Sequence, residues 1–386
     1  MKKGIYIFII IIFMFFAISA GAQDLDLDVK SAILIDADTG QVLYEINADL
    51  RLPPASMTKI MQMLIVMEQV EAGEISLGDE LTVSRYAASM GGSQIFLNAG
   101  TRLTVEELLK AVTIASANDA SVVLGEGLAG TYGNFIDWMN RRARELGMEN
   151  TNFVNSTGLP DEFGEHYSSA RDIAIMSQEM VKYPLILEWG SIWIDYIDLS
   201  YREAMLVNTN RLINRYPGMD GLKTGYTTEA GYCLASTAQR NNTRLISVIF
   251  GAESEDDRGE ISTRLLDYGF NAFNKELIVS EGDLVQNIEV PDGSKTVTTG
   301  EVAEDLFVHI RRGSREDYNK RVVLEDLEAP IAKGQLIGEI RMEKDSQVLA
   351  RVNLIATEDI ERAGFFTRIW RSFVNWIGGL LTNLLG

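Results

Sequence analysis

The stretch Pro53-Pro54-Ala55-Ser56-Met57-Thr58-Lys59 leads directly into the apolar run Ile60-Met61-Gln62-Met63-Leu64-Ile65-Val66-Met67. Proline is excluded from helix interiors and favours extended geometry in the residue before it, whereas the run that follows contains no glycine or proline. The sequence therefore predicts a buried helix that begins close to Ser56. In that register Ser56 and Lys59 lie three residues apart on one face, where the amine can approach the hydroxyl. The positive end of the helix dipole disfavours an ammonium, which suits a neutral Lys59 to act as a base.

The composition indicates a folded protein with no nucleic-acid partner. Its 386 residues are 46% hydrophobic and 23% charged, which fits about two domains with a sizeable core. The formal net charge of -20 argues against binding to nucleic acid and against unaided attraction to anionic lipid.

The N-terminus predicts export. Lys2 and Lys3 precede an apolar run, and Ala20-Gly21-Ala22 supplies small residues just before Gln23, which is typical of a cleaved signal peptide over residues 1–22. An uncleaved anchor is the alternative, but the run is shorter than the roughly 20 residues that a membrane span requires. Outside the cytoplasm the single cysteine, Cys233, has no internal partner for a disulfide, and its β-like surroundings favour a core residue over a reactive thiol.

Residues 23–280 are predicted to form an α+β catalytic domain. Runs at 31–36 and 41–45 flank a turn-rich gap and indicate a hairpin. A helical pattern opens with a Thr-x-x-Glu capping box at Thr104 and is interrupted at residues 116–119. Three β-like runs then predict an antiparallel stretch, and a helix follows. The runs cover residues 222–227, 231–239 and 243–250, and the helix covers 261–274.

The remainder of the chain changes character at about Glu281. Short alternating runs predict a small all-β domain over residues 281–362, which we interpret as a spacer or interaction module. Residues 363–386 are predicted to form an amphipathic helix whose apolar face, from Phe365 to Leu385, binds a membrane surface. The alternative is a helix docked on protein. Two arginines within the segment argue against a spanning helix.

Three short elements occur in an informative order. Ser56-Met57-Thr58-Lys59 is followed by Ser116-Ala117-Asn118 and then by Lys223-Thr224-Gly225, the set found in penicillin-binding proteins and serine β-lactamases. Acyl transfer from a peptide requires a nucleophile, a base and donors for a tetrahedral oxyanion. We expect Ser56 to attack and Lys59, kept neutral by burial, the helix dipole and Lys223, to accept its proton.

The second and third elements are expected to complete the site. Ser116, where the helix is broken, is placed to relay a proton to the leaving amine, and Asn118 to bind the substrate amide and Lys59. Lys223 and the Thr224 hydroxyl offer a cation and a donor for a substrate carboxylate. Gly225 removes a side chain where the substrate approaches the strand closely.

With these motifs in place, the chain resembles the low-molecular-weight penicillin-binding proteins, the D-alanyl-D-alanine carboxypeptidases of serine peptidase family S11. The phrase Asn210-Arg211-Leu212 before Asp220-Gly221-Leu222 and the run Arg244-Leu245-Ile246-Ser247-Val248 add to the likeness. The resemblance implies a β-lactamase/transpeptidase-like fold and release of the terminal D-alanine from peptidoglycan stem pentapeptides through an acyl-enzyme on Ser56. It also implies capture of β-lactams by that serine, with the backbone N–H groups of Ser56 and Tyr226 as oxyanion donors.

The predicted signal peptide and C-terminal helix together predict a peripheral location at the outer face of the cytoplasmic membrane. The resemblance further implies two additional site residues. Asp172 is expected near the site with an effect on deacylation, or else as a helix N-terminal acid. Arg258 is expected to assist with the terminal carboxylate, or else to be a solvated charge.

Other functions remain open at this point. A class A β-lactamase would add a deacylating glutamate, and Glu162 and Glu165 lie in a suitable loop whose sequence does not resemble that element. A cross-link-cutting D,D-endopeptidase shares the chemistry, and a non-catalytic penicillin-sensing or murein-binding scaffold shares the fold. Only His166 and His309 exist, so a Ser-His-Asp triad would depend on His166, which we interpret as an ordinary loop residue. No metal or cofactor is predicted.

Overall fold

The structure, a computed structural model, describes residues 25–160, 164–313, 318–345, 347–367 and 369–371. The predicted signal peptide lies outside these residues. The strands are β1 Ser31–Asp36, β2 Val42–Ile46, β3 Glu80–Thr82, β4 Arg102–Thr104, β5 Ile194–Asp198, β6 Glu203–Val207, β7 Met219–Thr227, β8 Gly231–Arg240, β9 Thr243–Ala252, β10 Phe273–Val279, β11 Leu284–Glu289, β12 Val297–Val302, β13 Leu306–Arg311, β14 Asn319–Leu324, β15 Leu336–Lys344 and β16 Gln347–Ala356.

The helices are concentrated in the first two thirds of the chain. They are α1 Lys59–Glu71, α2 Arg85–Ala88, α3 Val105–Ala115, α4 Asn118–Ala129, α5 Tyr132–Glu145, α6 Ala170–Met180, α7 Pro184–Gly190 and α8 Glu255–Ala272, with 3-10 helices at Ala55–Thr58 and Arg211–Asn214. We call Ala55–Thr58 the Ser56 turn.

A five-stranded antiparallel sheet with the order β2-β1-β9-β8-β7 frames this part of the molecule. Its central strand β9 is buried on both faces. Val248 and Phe250 pack into the cluster formed with the helices around α1, whereas Leu245 and Ile249 pack with Leu265 of α8. The predicted N-terminal hairpin and the predicted three-stranded stretch are both confirmed within this sheet. β7 ends the sheet and contacts the Ser56 turn.

Helix α1 runs through the middle of the helical layer. All nine residues from Lys59 to Met67 are buried, because α3, α4, α5 and α6 pack around the helix. This explains why the sequence is apolar on nearly every side of the run. The chain enters through the Ser56 turn rather than through a regular α-helical turn.

The helix interruption predicted after residue 115 is also confirmed. α3 opens with the capping box, in which the Glu107 carboxylate accepts from the Thr104 N–H at 2.8 Å and the Thr104 hydroxyl accepts from the Glu107 N–H at 3.2 Å. It ends at Ser116, whose φ of 60° is left-handed, and α4 begins two residues later. A left-handed residue stops a helix and redirects the chain.

The C-terminal part is all-β, as predicted. Its main sheet has the order β11-β12-β16-β15-β14 and a core of its own, with Val290, Val308 and Leu354 fully buried. The prediction of a helix through residue 274 is wrong at its end, because α8 stops at Ala272 and β10 begins at once. β10 pairs with β13, about thirty residues further along the chain, and so distant a partner leaves little local signal.

The predicted C-terminal helix lies only partly within the described residues. Positions 365–367 and 369–371 are helical, with Phe366 85% and Trp370 65% exposed. The Arg371 guanidinium donates to the Gly293 carbonyl at 2.7 Å, which ties this turn to the β-rich part. In the portion of the chain that the structure describes, every helix is too short or too polar to traverse a bilayer.

A buried polar cluster joins the two parts. His309 on β13 lies 2.8 Å from the Asp36 carboxylate through Nε2, and both side chains are buried. The Gln41 side chain donates to the His309 carbonyl at 2.8 Å and accepts from its N–H at 2.7 Å. Burial alone would raise the pKa of Asp36, but the hydrogen bond and charge of His309 and the charge of Lys275 hold it below its usual value.

We expect Asp36→Ala to lower the free energy of unfolding by about 3 kcal/mol, because removing one member of a buried pair leaves the other without compensation. Chemical denaturation checks this, with the exposed Asp26→Ala as the control. Equal unfolding midpoints for the two variants would contradict a stabilising role for the Asp36–His309 contact.

Candidate active site

A cleft of about 680 Å³ opens beside the end of the central sheet. The Ser56 turn, the break between α3 and α4, the β5–β6 hairpin, β7 and the start of α8 all contribute to its walls. Seven residues singled out from the sequence line it, namely Ser56, Ser116, Asn118, Thr224, Gly225, Tyr226 and Arg258. Lys59 and Lys223 lie behind this lining as buried groups.

The Lys59 amine is the centre of the polar contacts. Its Nζ lies 3.0 Å from the Ser56 hydroxyl oxygen, 2.7 Å from Asn118 Oδ1 and 2.8 Å from the Thr157 carbonyl oxygen. The Ser56 hydroxyl also lies 3.4 Å from the Thr157 carbonyl. Helical spacing alone predicts the approach of Ser56 and Lys59, whereas the other two partners come from distant segments.

Two buried lysines set the electrostatics of the cleft. Burial lowers the pKa of Lys59 well below its ordinary value, the nearby charge of Lys223 lowers it further, and Asp119 acts in the opposite direction. Burial and then the charge of Arg258 lower the pKa of Lys223 to about 7. A lowered pKa increases the neutral share of an amine, and a neutral amine can accept a proton, which an ordinary lysine side chain does poorly.

The break between α3 and α4 delivers two polar side chains to the cleft. Ser116 ends α3 in the left-handed conformation, so its side chain reaches the cleft lining although it is only 3% exposed. Asn118 accepts from Lys59 and donates its amide N–H to the Gly91 carbonyl at 2.7 Å. Its orientation is therefore determined at both ends.

Strand β7 supplies the opposite wall. The Thr224 hydroxyl faces the cleft and donates to the Thr209 hydroxyl at 2.7 Å, while the Lys223 Nζ lies 3.3 Å from the Thr224 carbonyl. Gly225 lines the cleft, where a close approach of the substrate is predicted. The atoms that lie closest to it belong to the protein itself. A Cβ added there would lie 2.9 Å from the Pro54 carbonyl oxygen, so this glycine lets the Ser56 turn pack against β7.

Arg258 and Asp172 have different positions. Arg258 lines the cleft, with its guanidinium 3.0 Å from Glu255, so it is not a solvated charge. Asp172 is absent from the cleft lining and accepts from the Asn150 N–H at 2.8 Å and the Thr151 hydroxyl at 2.7 Å. Burial raises the pKa of its carboxyl. The geometry of Asp172 fits the alternative reading of a helix N-terminal acid that holds a neighbouring loop.

Several cleft residues were missed in the sequence. The Thr157 carbonyl, which contacts Lys59, is a backbone group, and a motif of side chains cannot predict the position of a backbone group. Trp193 and Val207, at the two ends of the β5–β6 hairpin, also line the cleft, and so does Thr209 just after the hairpin. The alternating pattern of this hairpin is too short to predict it from the sequence. Of the glutamates considered for a β-lactamase, Glu165 does not line the cleft and Glu162 lies outside the described residues.

The buried ammonium of Lys223 predicts a stability effect with a defined sign. Its pKa is about 7 in the folded state and about 10.4 when unfolded, so between these values the unfolded chain binds more protons and the free energy of unfolding rises with pH. Below pH 7 the full cost of the buried charge is present. We therefore expect Lys223→Met to be more stable than wild type at pH 6, by a margin that shrinks towards pH 10. Denaturant unfolding of both proteins between pH 6 and pH 10 measures this difference in stability. A difference that does not change with pH would contradict the lowered pKa of Lys223.

Comparisons with known proteins agree with this geometry. The family model described as D-alanyl-D-alanine carboxypeptidase matches residues 18–254, and the model of the penicillin-binding protein 5 C-terminal domain matches residues 273–362. The D-alanyl-D-alanine carboxypeptidase DacF of Bacillus subtilis is 43% identical over 90% of each chain.

Solved structures give the same result. Penicillin binding protein 5 from Haemophilus influenzae matches with a TM-score of 0.77 and 31% identity over 89% of this chain and all of that one. The ampicillin-bound form of penicillin-binding protein D2 from Listeria monocytogenes matches with a TM-score of 0.56 and 33% identity, covering 64% of this chain and 99% of that one. With its cleft, its α+β fold and these matches, the chain belongs to the S11 family of D-alanyl-D-alanine carboxypeptidases.

Proposed function

We propose that this protein is a serine-type D-Ala-D-Ala carboxypeptidase that removes the terminal D-alanine of peptidoglycan stem pentapeptides. The observation that carries the proposal is the buried Lys59 amine, which lies 3.0 Å from the Ser56 hydroxyl with a pKa far below its usual value. Nucleophile and base are thus in contact before substrate binds.

Acylation begins at Ser56. Its hydroxyl oxygen attacks the carbonyl carbon of the penultimate D-alanine while Lys59 accepts the hydroxyl proton. The carbonyl oxygen becomes an oxyanion, for which the backbone N–H groups of Ser56 and Tyr226 are the donors in our assignment. Both residues line the cleft, which supports this arrangement.

Collapse of the tetrahedral intermediate breaks the peptide bond. The departing nitrogen of the terminal D-alanine takes a proton from the Lys59 ammonium through the Ser116 hydroxyl, and the acyl group remains as an ester on Ser56. Water then attacks the ester carbonyl carbon while Lys59 accepts a proton from the water. The bond between the acyl carbon and the Ser56 oxygen breaks, Lys59 returns the proton to that oxygen, and the shortened peptide leaves as the acid. No proton is gained or lost over the cycle beyond the addition of one water molecule.

The terminal carboxylate of the substrate is assigned to the β7 side of the cleft. Thr224 of β7 and Arg258 of α8 both line the cleft, and a guanidinium forms strong charge-assisted hydrogen bonds to a carboxylate. Lys223 adds positive charge from behind. A requirement for a carboxylate one residue beyond the scissile bond is what distinguishes a carboxypeptidase from a general peptidase.

β-Lactams acylate the same serine in our proposal. The strained lactam amide replaces the D-Ala-D-Ala peptide bond, and the β-lactam carboxylate occupies the β7 side. The likeness to the ampicillin-bound structure of the Listeria protein supports capture of this kind. Among the described residues, the glutamate that lines the cleft is Glu255. Its carboxylate is paired with Arg258 and Arg211 and is not placed as a base for deacylation in our proposal, so we expect the penicilloyl ester to be long-lived.

The proposed location is the outer face of the cytoplasmic membrane, after export by the signal peptide. The exposed Phe365, Phe366, Ile369 and Trp370 support an interfacial helix that holds the protein on the membrane surface. Residues 372–386 lie outside the described part of the chain. For them the proposal rests on the amphipathic pattern of the sequence.

Incubation with diacetyl-L-Lys-D-Ala-D-Ala should release one D-alanine per peptide, and Ser56→Ala should abolish release, because the Ser56 hydroxyl, 3.0 Å from the Lys59 amine, is the nucleophile in the proposed mechanism. Loss of a nucleophile is expected to reduce kcat by at least about 10⁴-fold. Free D-alanine is measured enzymatically. Thr113→Val, a buried change on α3 away from the cleft, is the control. Equal release from wild type and Ser56→Ala would refute the mechanism.

Flotation with liposomes containing anionic lipid tests the attachment. The mature chain should float with the vesicles, whereas a chain ending at residue 364 should stay at the bottom of the gradient while it keeps full carboxypeptidase activity. Flotation of both chains would show that the membrane contact lies elsewhere.

A further inference from the structure

A chain of hydrogen bonds connects the His166 loop to the peptide group that precedes Ser56. The Val154 N–H donates to His166 Nδ1 at 3.2 Å. His166 Nε2 lies 2.7 Å from the Thr58 hydroxyl oxygen, and that hydroxyl donates to the Ala55 carbonyl at 2.8 Å. His166 is therefore not merely a loop residue.

The direction of each bond follows from the chemistry of the groups. A backbone N–H can only donate, so His166 Nδ1 is an acceptor and carries no proton. In a neutral imidazole the proton then resides on Nε2 and is donated to the Thr58 oxygen. Thr58 has one hydroxyl proton, which it gives to the Ala55 carbonyl. The three bonds therefore run in one direction, from the Val154 N–H to the Ala55 carbonyl, and each bond polarises the next.

The last acceptor belongs to a peptide group with a second role. A peptide unit is planar, so a bond that fixes the Ala55 carbonyl also fixes the N–H of Ser56 at the opposite side of the same plane. Ala55 has a φ of +46°, a left-handed conformation that costs a non-glycine residue about 1 kcal/mol or more. Such a conformation persists only where neighbouring groups hold it.

Packing on both sides of His166 and of this peptide limits their movement. The His166 ring lies 5.8 Å from the ring of Phe153, and Thr58 is fully buried. Gly158 lies directly against the Ala55–Ser56 peptide, since a Cβ added there would be 1.8 Å from the Ala55 oxygen and 2.9 Å from the Ser56 nitrogen. The peptide thus has a wall on one face and a hydrogen-bonded anchor at its oxygen.

We propose that His166 and Thr58 are positioning residues for the oxyanion hole, which hold the Ser56 N–H in the orientation that it needs to stabilise the tetrahedral intermediate. The inference rests on the proposed function, because it takes the Ser56 N–H to be an oxyanion donor. Neither residue lines the cleft, so in this proposal each acts through the Ala55–Ser56 peptide. Polarisation along the chain also makes that N–H a stronger donor.

Two pairs of variants separate this role from a general structural one. Thr58→Val keeps the shape and removes the hydroxyl, whereas Thr58→Ser restores it. His166→Leu removes both ring nitrogens, whereas His166→Gln keeps an amide N–H that can reach the Thr58 oxygen. Thr113→Val serves as a matched control, because this buried threonine donates to the Leu109 carbonyl within α3 and does not line the cleft.

Benzylpenicillin is the probe, with two readouts. The first is the rate constant of acylation, which we expect to fall about 10- to 100-fold in Thr58→Val and His166→Leu, since the donor is misplaced rather than removed. The second is the infrared band of the ester carbonyl in the trapped acyl-enzyme. Weaker hydrogen bonding to that carbonyl moves the band to higher wavenumber, which a loss of stability elsewhere would not do.

The expected result is slower acylation with a shifted band in the two deleting variants, near-wild-type behaviour in Thr58→Ser and His166→Gln, and no change in Thr113→Val. Deleting variants that acylate at the wild-type rate would overturn the inference, and so would slow acylation with the band unmoved. Failure of the wild type itself to form an acyl-enzyme would instead overturn the proposed function and this inference with it.

Discussion

The burial of the Lys59 amine is the constraint on which the rest of the structure depends. An unpaired ammonium in this position would be costly, and a neutral amine still needs polar partners. Asn118 and the Thr157 carbonyl provide them, and both come from segments far from α1 in sequence. The helical layer around α1 therefore does more than bury apolar surface. It excludes water from the amine and brings two distant acceptors to it. The environment that lowers the pKa of Lys59 therefore forms only when the domain folds.

Keeping that base neutral has a cost that the fold bears elsewhere. Lys59, Lys223 and Arg258 are three basic side chains near one cleft, and all are largely buried. Burial lowers the pKa of both lysines, and the neighbouring charges, Lys223 beside Lys59 and Arg258 beside Lys223, lower them further. The apolar cores on the two faces of β9 and the separate core of the β-rich part offset this penalty. The protein thus combines an electrostatically unfavourable cleft with a well-packed frame.

Side-chain motifs with fixed local spacing could be predicted from the sequence, and backbone contacts could not. Ser56 and Lys59 are neighbours by helical geometry, and Ser116 was recognisable where a helical pattern broke. The Thr157 carbonyl and the His166–Thr58 contact depend on how a long loop folds back over α1, which leaves no periodic signal. Gly225 illustrates a partial success: a close approach was expected at this position, but the group that approaches most closely is the Ser56 turn. β10 was missed because its partner strand is distant in sequence.

The buried contact between Asp36 and His309 also affects how far the cleft lies from the segment that we propose binds the membrane. It joins the sheet behind the cleft to the β-rich part, against which the turn with the exposed Phe366 and Trp370 lies. In the membrane attachment that we propose, this buried joint would hold the cleft at a constant height above the bilayer. Stem peptides in that layer of the wall would be trimmed, and identical peptides further out would be spared by distance alone.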